Sequence, residues 1–243
     1  MNKVDKNEFT HLKIHTQYSI CEGALKTSDL AKYCKTNKIK AIGLCDSNNL
    51  CGALEFSETI AKSKTQPIIG TQINIQYKNY RGKIPLFAKN LEGYKNLVKL
   101  SSKSFLQIKD GEEPHCKIKD IEENNKGLIL LSGTFDGLIG KLFFKNLTDE
   151  IFALFKKLKN IFNDSFYLEI QRHNDDGEKL FEKFLLDASY KLELPMIATH
   201  EVFYLEKDMY EAHDAYLCVG EKTYVNAKDR RKLQRFNFII RIF

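Results

Sequence analysis

Short apolar segments recur along the chain, and most of them are separated by stretches long enough to form a helix. Seven segments have the length and the apolar character of β-strands: residues 12–15, 41–45, 68–75, 84–88, 128–131, 166–170 and 196–199. Strands that alternate with helices pair in parallel, with the helices packed against the sheet. The pattern therefore predicts an α/β protein, built either as a doubly wound sheet or as a barrel.

Apolar residues at helical spacing predict long helices over residues 91–106, 151–162 and 180–192. Thr27 or Ser28 can cap an earlier helix, whose first turn contains Asp29 at the positive end of the helix dipole. One pair of strands departs from the parallel pattern. Residues 73–77 and 84–87 flank a short polar segment, and this arrangement predicts an antiparallel hairpin.

The composition of the chain changes near Glu206. Residues 208–218 predict a helix, residues 221–235 are dense in charge, and residues 236–243 are mostly apolar. An apolar terminus of this kind indicates an interrupted element. We expect it to expose the edge of a strand and to promote association between copies of the chain.

The composition limits the classes of protein. With 243 residues and 43% hydrophobic residues, the chain can fill a sizeable core, and its net charge of +6 permits a nucleic-acid neighbour without requiring one. The six cysteines form no CxxC pair, which is typical of reduced thiols. No run of about 18 apolar residues occurs, so neither export nor a membrane span is expected. These features predict a cytoplasmic protein.

Candidate chemistry lies where strands end, because the carboxyl ends of parallel strands share one face of the fold. This rule selects His15, Asp46, Ser47, Gln72, Thr134, His173, His200 and Glu201. The sequence contains no GxSxG, GxxxxGK[ST] or GxGxxG motif, so it predicts neither a serine-hydrolase elbow nor a phosphate-binding loop.

Several of these residues lie in motifs that resemble a known family. The motifs are THLKIHTQYS at residues 10–19, EGA at 22–24, NLCGALEF at 49–56, PIIG at 67–70 and EAHD at 211–214. In this order they resemble the N-terminal polymerase-and-histidinol-phosphatase (PHP) domain of bacterial DNA polymerase III alpha subunits. The resemblance implies a distorted seven-stranded, TIM-like β/α barrel over residues 1–205. It implies that residues 206–243 lead toward a polymerase core absent from this sequence.

Metal-binding members of the family carry histidine, acidic and cysteine ligands for up to three ions. The resemblance places nine of these ligand positions on Lys13, His15, Glu22, Ser47, Gln72, Thr134, His173, Glu201 and Phe203. Five of the residues are not ordinary metal ligands, namely Lys13, Ser47, Gln72, Thr134 and Phe203. His15, Glu22, His173 and Glu201 would suffice for one ion if they converged. We therefore expect no catalytic residue and no multinuclear centre, and at most one divalent ion.

Lys13 places a positive charge where a site of this kind holds a cation. One interpretation puts its ammonium among Asp46, Glu22 and Glu201, because unpaired buried carboxylates cost several kcal/mol. The alternative is a lysine that extends along the rim of the barrel to reach solvent.

The function implied by the resemblance belongs to a longer parent protein. That parent is a DNA-directed DNA polymerase, a nucleotidyltransferase that uses Mg²⁺ in DNA replication, whereas this chain lacks the polymerase active site. The barrel would support the polymerase core, a proofreading exonuclease subunit and other replicase subunits, and it would reach DNA through the parent. Two alternatives remain open. One is a stand-alone metal-dependent phosphoesterase or 3′–5′ exonuclease of the same superfamily, and the other is a small regulatory binding module.

Overall fold

A computed structural model describes residues 9–173, 177–233 and 238–240. The strands in these residues are β1 (Lys13–Ile14), β2 (Ala41–Ser47), β3 (Gln66–Tyr77), β4 (Tyr80–Ala88), β5 (Cys116–Lys117), β6 (Leu128–Leu131), β7 (Phe166–Ile170), β8 (Met196–Ala198) and β9 (Glu201–Val202). All seven predicted strands are present, and the predicted α/β class is confirmed. The two-residue strands β5 and β9 were not predicted.

The helices that alternate with these strands are α1 (Thr27–Asn37), α2 (Ala53–Lys62), α3 (Leu91–Leu106), α4 (Ile118–Glu123), α5 (Leu138–Phe143), α6 (Thr148–Phe162), α7 (Glu178–Leu192) and α8 (Tyr210–Glu221). The three long helices predicted from periodicity are α3, α6 and α7. The predicted cap of α1 is wrong, because α1 begins at Thr27 and its N-cap is Lys26. The Lys26 carbonyl accepts the first helical N–H bonds, from Asp29 and Leu30.

Packing divides the chain into two compact units. The first contains the described residues up to Ser47, Cys51–Ile69 and the described residues from His200 onward. The second contains Asn48–Leu50 and Gly70–Thr199. The boundary after residue 205 that the resemblance implied stays a prediction.

In the first unit, β1 pairs in parallel with both β2 and β9. Ile14 lies opposite Leu44 of β2, and Lys13 and Ile14 lie opposite Glu201 and Val202 of β9. The backbones of β1 and β2 approach closely at Gly43, where a Cβ atom would lie 2.4 Å from the Leu12 carbonyl oxygen. This close approach requires glycine, and it fixes the end of β1 against β2.

In the second unit, β3 and β4 form the predicted antiparallel hairpin, in which pairs run from Gly70 opposite Phe87 to Tyr77 opposite Tyr80. β4 also pairs antiparallel with β6, and β6, β7 and β8 continue in parallel. The helices α3, α5, α6 and α7 contribute buried apolar residues to one core with these strands. β7 and β8 therefore present their carboxyl ends in one direction.

The C-terminal helix was predicted, but the environment of the tail differs from the expectation. Only Phe238–Ile240 of the apolar tail lie within the described residues, and residues 236, 237 and 241–243 lie outside them. Ile239 forms a parallel bridge with Tyr204, and Phe238 and Ile240 are buried. For these three residues the expected exposed strand edge is wrong, because Phe238 packs with Phe203, Tyr204 and Tyr210.

Within the part of the chain that is described, no helix combines the length and the hydropathy that crossing a bilayer requires.

Burial of Phe238 leads to a prediction about stability. We expect Phe238→Ala to lower the free energy of unfolding by about 3 kcal/mol, because it removes a buried aromatic side chain. Urea unfolding followed by circular dichroism measures the effect. Tyr224 is 81% exposed, so Tyr224→Ala is the matched control and should change little. Equal effects of the two variants would contradict the packing of the tail.

Candidate functional site

The predicted site residues fall in both units. Lys13, His15, Glu22, Asp46, Ser47, His200, Glu201 and Phe203 belong to the first unit, and Gln72, Thr134 and His173 belong to the second. In the first unit, contacts join most of these side chains into three groups, one around each of the carboxylates Glu201, Asp46 and Glu22.

The first group joins Lys13, His15 and Glu201. Because Lys13 lies directly opposite Glu201 on neighbouring parallel strands, their side chains share one face of the sheet. The ammonium Nζ of Lys13 lies 3.4 Å from Oε1 of Glu201, and Nε2 of His15 lies 2.9 Å from the same oxygen. Lys13 is only 1% exposed, so the interpretation of a lysine that extends to solvent is wrong.

The contact with Glu201 assigns the proton on the His15 ring. A carboxylate only accepts hydrogen bonds, so Nε2 of His15 donates to Glu201. The ring stacks on Phe203 with centroids 4.5 Å apart, and it is fully buried. Its Nδ1 atom has no hydrogen-bond partner among the described residues. The nitrogen that faces Glu201 therefore carries a hydrogen rather than a lone pair for a metal ion.

The second group surrounds Asp46 at the end of β2. Its carboxylate accepts hydrogen bonds from the Thr16 amide at 2.7 Å, the Thr16 hydroxyl at 2.8 Å and the Ser19 hydroxyl at 2.7 Å. Burial raises the pKa of Asp46, although the hydrogen bonds from Ser19 and Thr16 act in the opposite direction. Asp46 thus fixes the loop that follows β1 through neutral donors.

The third group surrounds Glu22. The Ser47 hydroxyl donates a hydrogen bond to the Glu22 carboxylate, and Nη1 of Arg231 lies 3.4 Å from Oε1 of Glu22. The backbone carbonyl of Glu22 accepts a 2.6 Å hydrogen bond from Nε2 of His213. Glu22 therefore anchors the C-terminal helix and the segment after it.

The role of this C-terminal segment was not predicted from the sequence. His213 of the EAHD motif packs against Phe203 and Tyr204, and its neighbour Asp214 forms a two-pronged ion pair with Arg230 at 2.7 Å. The EAHD motif contains His213 and Asp214, but no local sequence pattern indicated that Asp214 pairs with Arg230. The neighbouring His200 is also structural, since its Nε2 donates to the Ile239 carbonyl at 2.9 Å.

In the second unit, the candidate residues make local contacts. The backbone N–H of His173 donates to the Glu178 carboxylate at 2.8 Å, and its Nδ1 lies 3.6 Å from the same group. The Thr134 hydroxyl donates to Asp136. The backbone carbonyl of Gln72 accepts a 2.8 Å hydrogen bond from the Asn48 amide.

One buried carboxylate of the second unit was not predicted. Glu169 lies in β7 and is 1% exposed. It accepts hydrogen bonds from the Thr199 hydroxyl and from the Gln171 amide. Its position within a strand, rather than at the end, explains why the strand-end rule passed over it.

The donor set can be compared with what a metal ion of this class requires. Such a site needs several nitrogen, oxygen or sulfur lone pairs that converge on one point. Among the described residues, no group of three or more histidine, cysteine, aspartate or glutamate side chains is arranged to hold a metal ion. The residues present do not fit a multinuclear centre, and the metal content of the protein stays a prediction.

Comparison with known proteins identifies the family. The family model described as PHP domain matches residues 11–173. This chain belongs to the PHP domain family. The match covers β1 to the end of β7, including the strand ends that carry Lys13, Asp46 and His173. The fold class expected from the resemblance is therefore confirmed.

The curated relatives of this PHP domain are longer proteins. DNA polymerase III subunit alpha of Caulobacter vibrioides is 34% identical over 241 residues, which are 96% of this chain and 21% of the relative. The protein of the same name from Rickettsia bellii is 37% identical over 227 residues, which are 93% of this chain and 19% of the relative. The chain thus spans about a fifth of the length of these relatives and is homologous to that part of them.

Two solved structures share the fold. One, from Bifidobacterium adolescentis, is described as a metal-dependent phosphoesterase, with a TM-score of 0.53, 12% identity, and coverage of 79% of this chain and 86% of its own. The other is an amidohydrolase from Chromobacterium violaceum, with a TM-score of 0.51, 8% identity, and coverage of 80% and 87%. At these identities the likeness concerns the fold alone.

The environment of Asp46 leads to a first prediction for the site. In Asp46→Asn the new amide NH₂ would face a donor, Thr16 or Ser19, so we expect a loss of about 2 kcal/mol in the free energy of unfolding. Urea unfolding at neutral pH measures it. Asp229→Asn changes an exposed carboxylate and is the control, which should stay within about 0.5 kcal/mol of the wild type. A neutral effect of Asp46→Asn would contradict the assigned donors.

His213 leads to a prediction about pH. Burial lowers the pKa of His213 below its ordinary value of 6.5. The unfolded chain therefore binds this proton more readily, so the contribution of His213 to stability is present above about pH 6.5 and is lost as the pH falls further. We expect the free energy of unfolding to fall more steeply between pH 7.5 and 5.5 in the wild type than in His213→Gln, whose amide still donates to Glu22. Parallel pH profiles would contradict the prediction.

Proposed function

We propose that this chain acts as the PHP domain of a DNA polymerase III alpha subunit, and that it supports the replicase without hydrolysing phosphate esters itself. Support for the first part comes from the alignment of curated alpha subunits with more than nine tenths of the chain. The observation that carries the second part is the buried contact of Lys13 and His15 with a single carboxylate oxygen of Glu201.

The chemistry of phosphoester hydrolysis explains why that contact matters. PHP-type hydrolysis through two or more ions would require a water held between two ions that lie about 3.5–4 Å apart. Here an ammonium group and an imidazole N–H already satisfy Glu201. Asp46 and Glu22 are engaged by hydroxyl groups, a backbone amide and Arg231. These contacts engage three of the four retained ligand candidates, His15, Glu22 and Glu201, which supports a domain kept for packing.

The proposed setting follows from the names and lengths of the relatives. About four fifths of a curated alpha subunit lie outside the region aligned with this chain. We place the polymerase core, with its Mg²⁺, in that remainder, and we propose that this domain packs on it in the bacterial cytoplasm. A proofreading exonuclease and other replicase subunits are the further partners, and DNA is contacted through the parent protein.

The alternative is a stand-alone metal-dependent phosphoesterase or 3′–5′ exonuclease. It is favoured by the retention of His15, Glu22, His173 and Glu201 at ligand positions of the family. It is opposed by the engagement of His15, Glu22 and Glu201 in the contacts described above. The choice between the two functions can be made with purified protein.

The first experiment measures hydrolysis. The purified chain is assayed on p-nitrophenyl phosphate and on single-stranded DNA with Mn²⁺ or Zn²⁺, and we expect no turnover above the protein-free blank. Activity that is removed by EDTA and by His173→Ala would establish the alternative. His115→Ala is the matched control, because His115 is also buried but lies outside the candidate positions.

The second experiment tests the polymerase assignment in a whole protein. The aligned region of the Caulobacter vibrioides alpha subunit is replaced by this chain, and primer extension is measured. We expect the chimera to retain DNA synthesis. A folded chimera that extends no primer would count against the assignment. A second chimera that carries Phe238→Ala reports whether the stability of this domain limits DNA synthesis in the assay.

A further inference from the structure

Three carboxylates of the candidate site lie in the first unit, and different groups contact each of them. Asp46 accepts hydrogen bonds from one backbone amide and two hydroxyl groups. Glu22 has the guanidinium of Arg231 at 3.4 Å. Glu201 has the ammonium of Lys13 and the N–H of His15. The ammonium of Lys13 therefore contacts Glu201, one of the three carboxylates that the sequence suggested.

The burial of this group makes the charge balance essential. Lys13 and His15 are at most 1% exposed, and Glu201 is 7% exposed. A charge in such an environment is tolerated only when it is paired and hydrogen-bonded, and the loss of one partner leaves the other uncompensated. Glu201 thus requires a cation within the protein for as long as it is ionised.

The same geometry opposes a bound metal ion. An ion ligated by Glu201 and His15 would need the Nε2 lone pair of His15, but this nitrogen donates its hydrogen to Glu201. The ion would also lie beside the Lys13 ammonium, which is 3.4 Å from the shared oxygen. Two cations that contact the same carboxylate oxygen repel each other strongly inside a protein. The ammonium and the ion are alternatives for one place.

We propose that the Lys13 ammonium is a covalently attached cation that takes the place of a metal ion beside Glu201 and His15 and excludes divalent cations from this site. This inference rests on the proposed non-hydrolytic function and deepens it, because it gives the physical reason why the fold needs no metal. The proposal predicts that the site binds a divalent ion when the ammonium is removed. Without that charge, Glu201 and His15 become available to a divalent ion.

A double-mutant cycle tests the pairing. Urea unfolding is measured for the wild type, Lys13→Met, Glu201→Gln and the double variant. We expect each single variant to lower the folding equilibrium constant roughly 100-fold, because a buried partner is left alone. The folding equilibrium constant of the double variant should be at least about tenfold larger than the value expected if the two single effects multiply. Additive effects would overturn the proposal.

Two further variants control the cycle. Lys32 and Asp29 form an exposed ion pair, so Lys32→Met and Asp29→Asn should be additive within a factor of about 3. Lys13→Arg keeps the positive charge and should be more stable than Lys13→Met. If both Lys13 variants are equally unstable, the shape of the lysine rather than its charge is what matters, and the proposal fails.

The metal arm uses equilibrium dialysis against Mn²⁺ and Zn²⁺. We expect no stoichiometric binding by the wild type, and binding by Lys13→Met that also raises its urea midpoint and disappears in the double variant. Stoichiometric binding by the wild type that is lost in Glu201→Gln would overturn the proposal even if Lys13→Met does not fold. A chimera that is inactive in primer extension would reject the polymerase assignment. The double-mutant cycle measures the pairing of Lys13 with Glu201 separately, so failure of the proposed function and failure of this inference can be told apart.

Discussion

The pairing of β1 with β9 in parallel register is the constraint on which the first unit depends. It sets Lys13 directly opposite Glu201, so that an ammonium and a carboxylate meet inside the protein. A slip of one residue would turn the side chains to the opposite faces of the sheet and leave two buried charges without partners. The ion pair therefore specifies the register of two strands that are only two residues long, which hydrogen bonds alone would define weakly.

The C-terminal helix and its following segment complete the same unit. His213 and Arg231 bind Glu22 through its carbonyl and its carboxylate, and Arg230 is held by Asp214 on α8. Residues separated by about 200 positions in the sequence thus share one packed region. In the tail, Phe238 and Ile240 are buried and Ile239 bridges to Tyr204, instead of forming an exposed edge.

How much of this arrangement the sequence predicts depends on the range of each interaction. The alternation of apolar strands with periodic helices predicts the α/β class, since local spacing carries that information. The strand-end rule finds His15, Asp46 and Glu201 for a similar reason. The partner of Glu22 could not be found, because Arg231 lies 209 positions away in a segment of mixed charge. A two-residue strand such as β9 has too few residues to show an alternating pattern.

Under the proposed function, retention of the fold when lysine occupies a family ligand position follows from the same electrostatics. A buried carboxylate needs a nearby cation, but the fold itself does not distinguish an ion that binds from an ammonium that is covalently attached. The stability that a bound ion contributes rises with the logarithm of its concentration relative to its dissociation constant. An attached ammonium has no such dependence, so a domain whose task is packing loses nothing when lysine replaces a ligand. Under the proposed function, the position keeps its positive charge without the lone pair that a metal ligand supplies, and the architecture of the PHP domain is retained for packing.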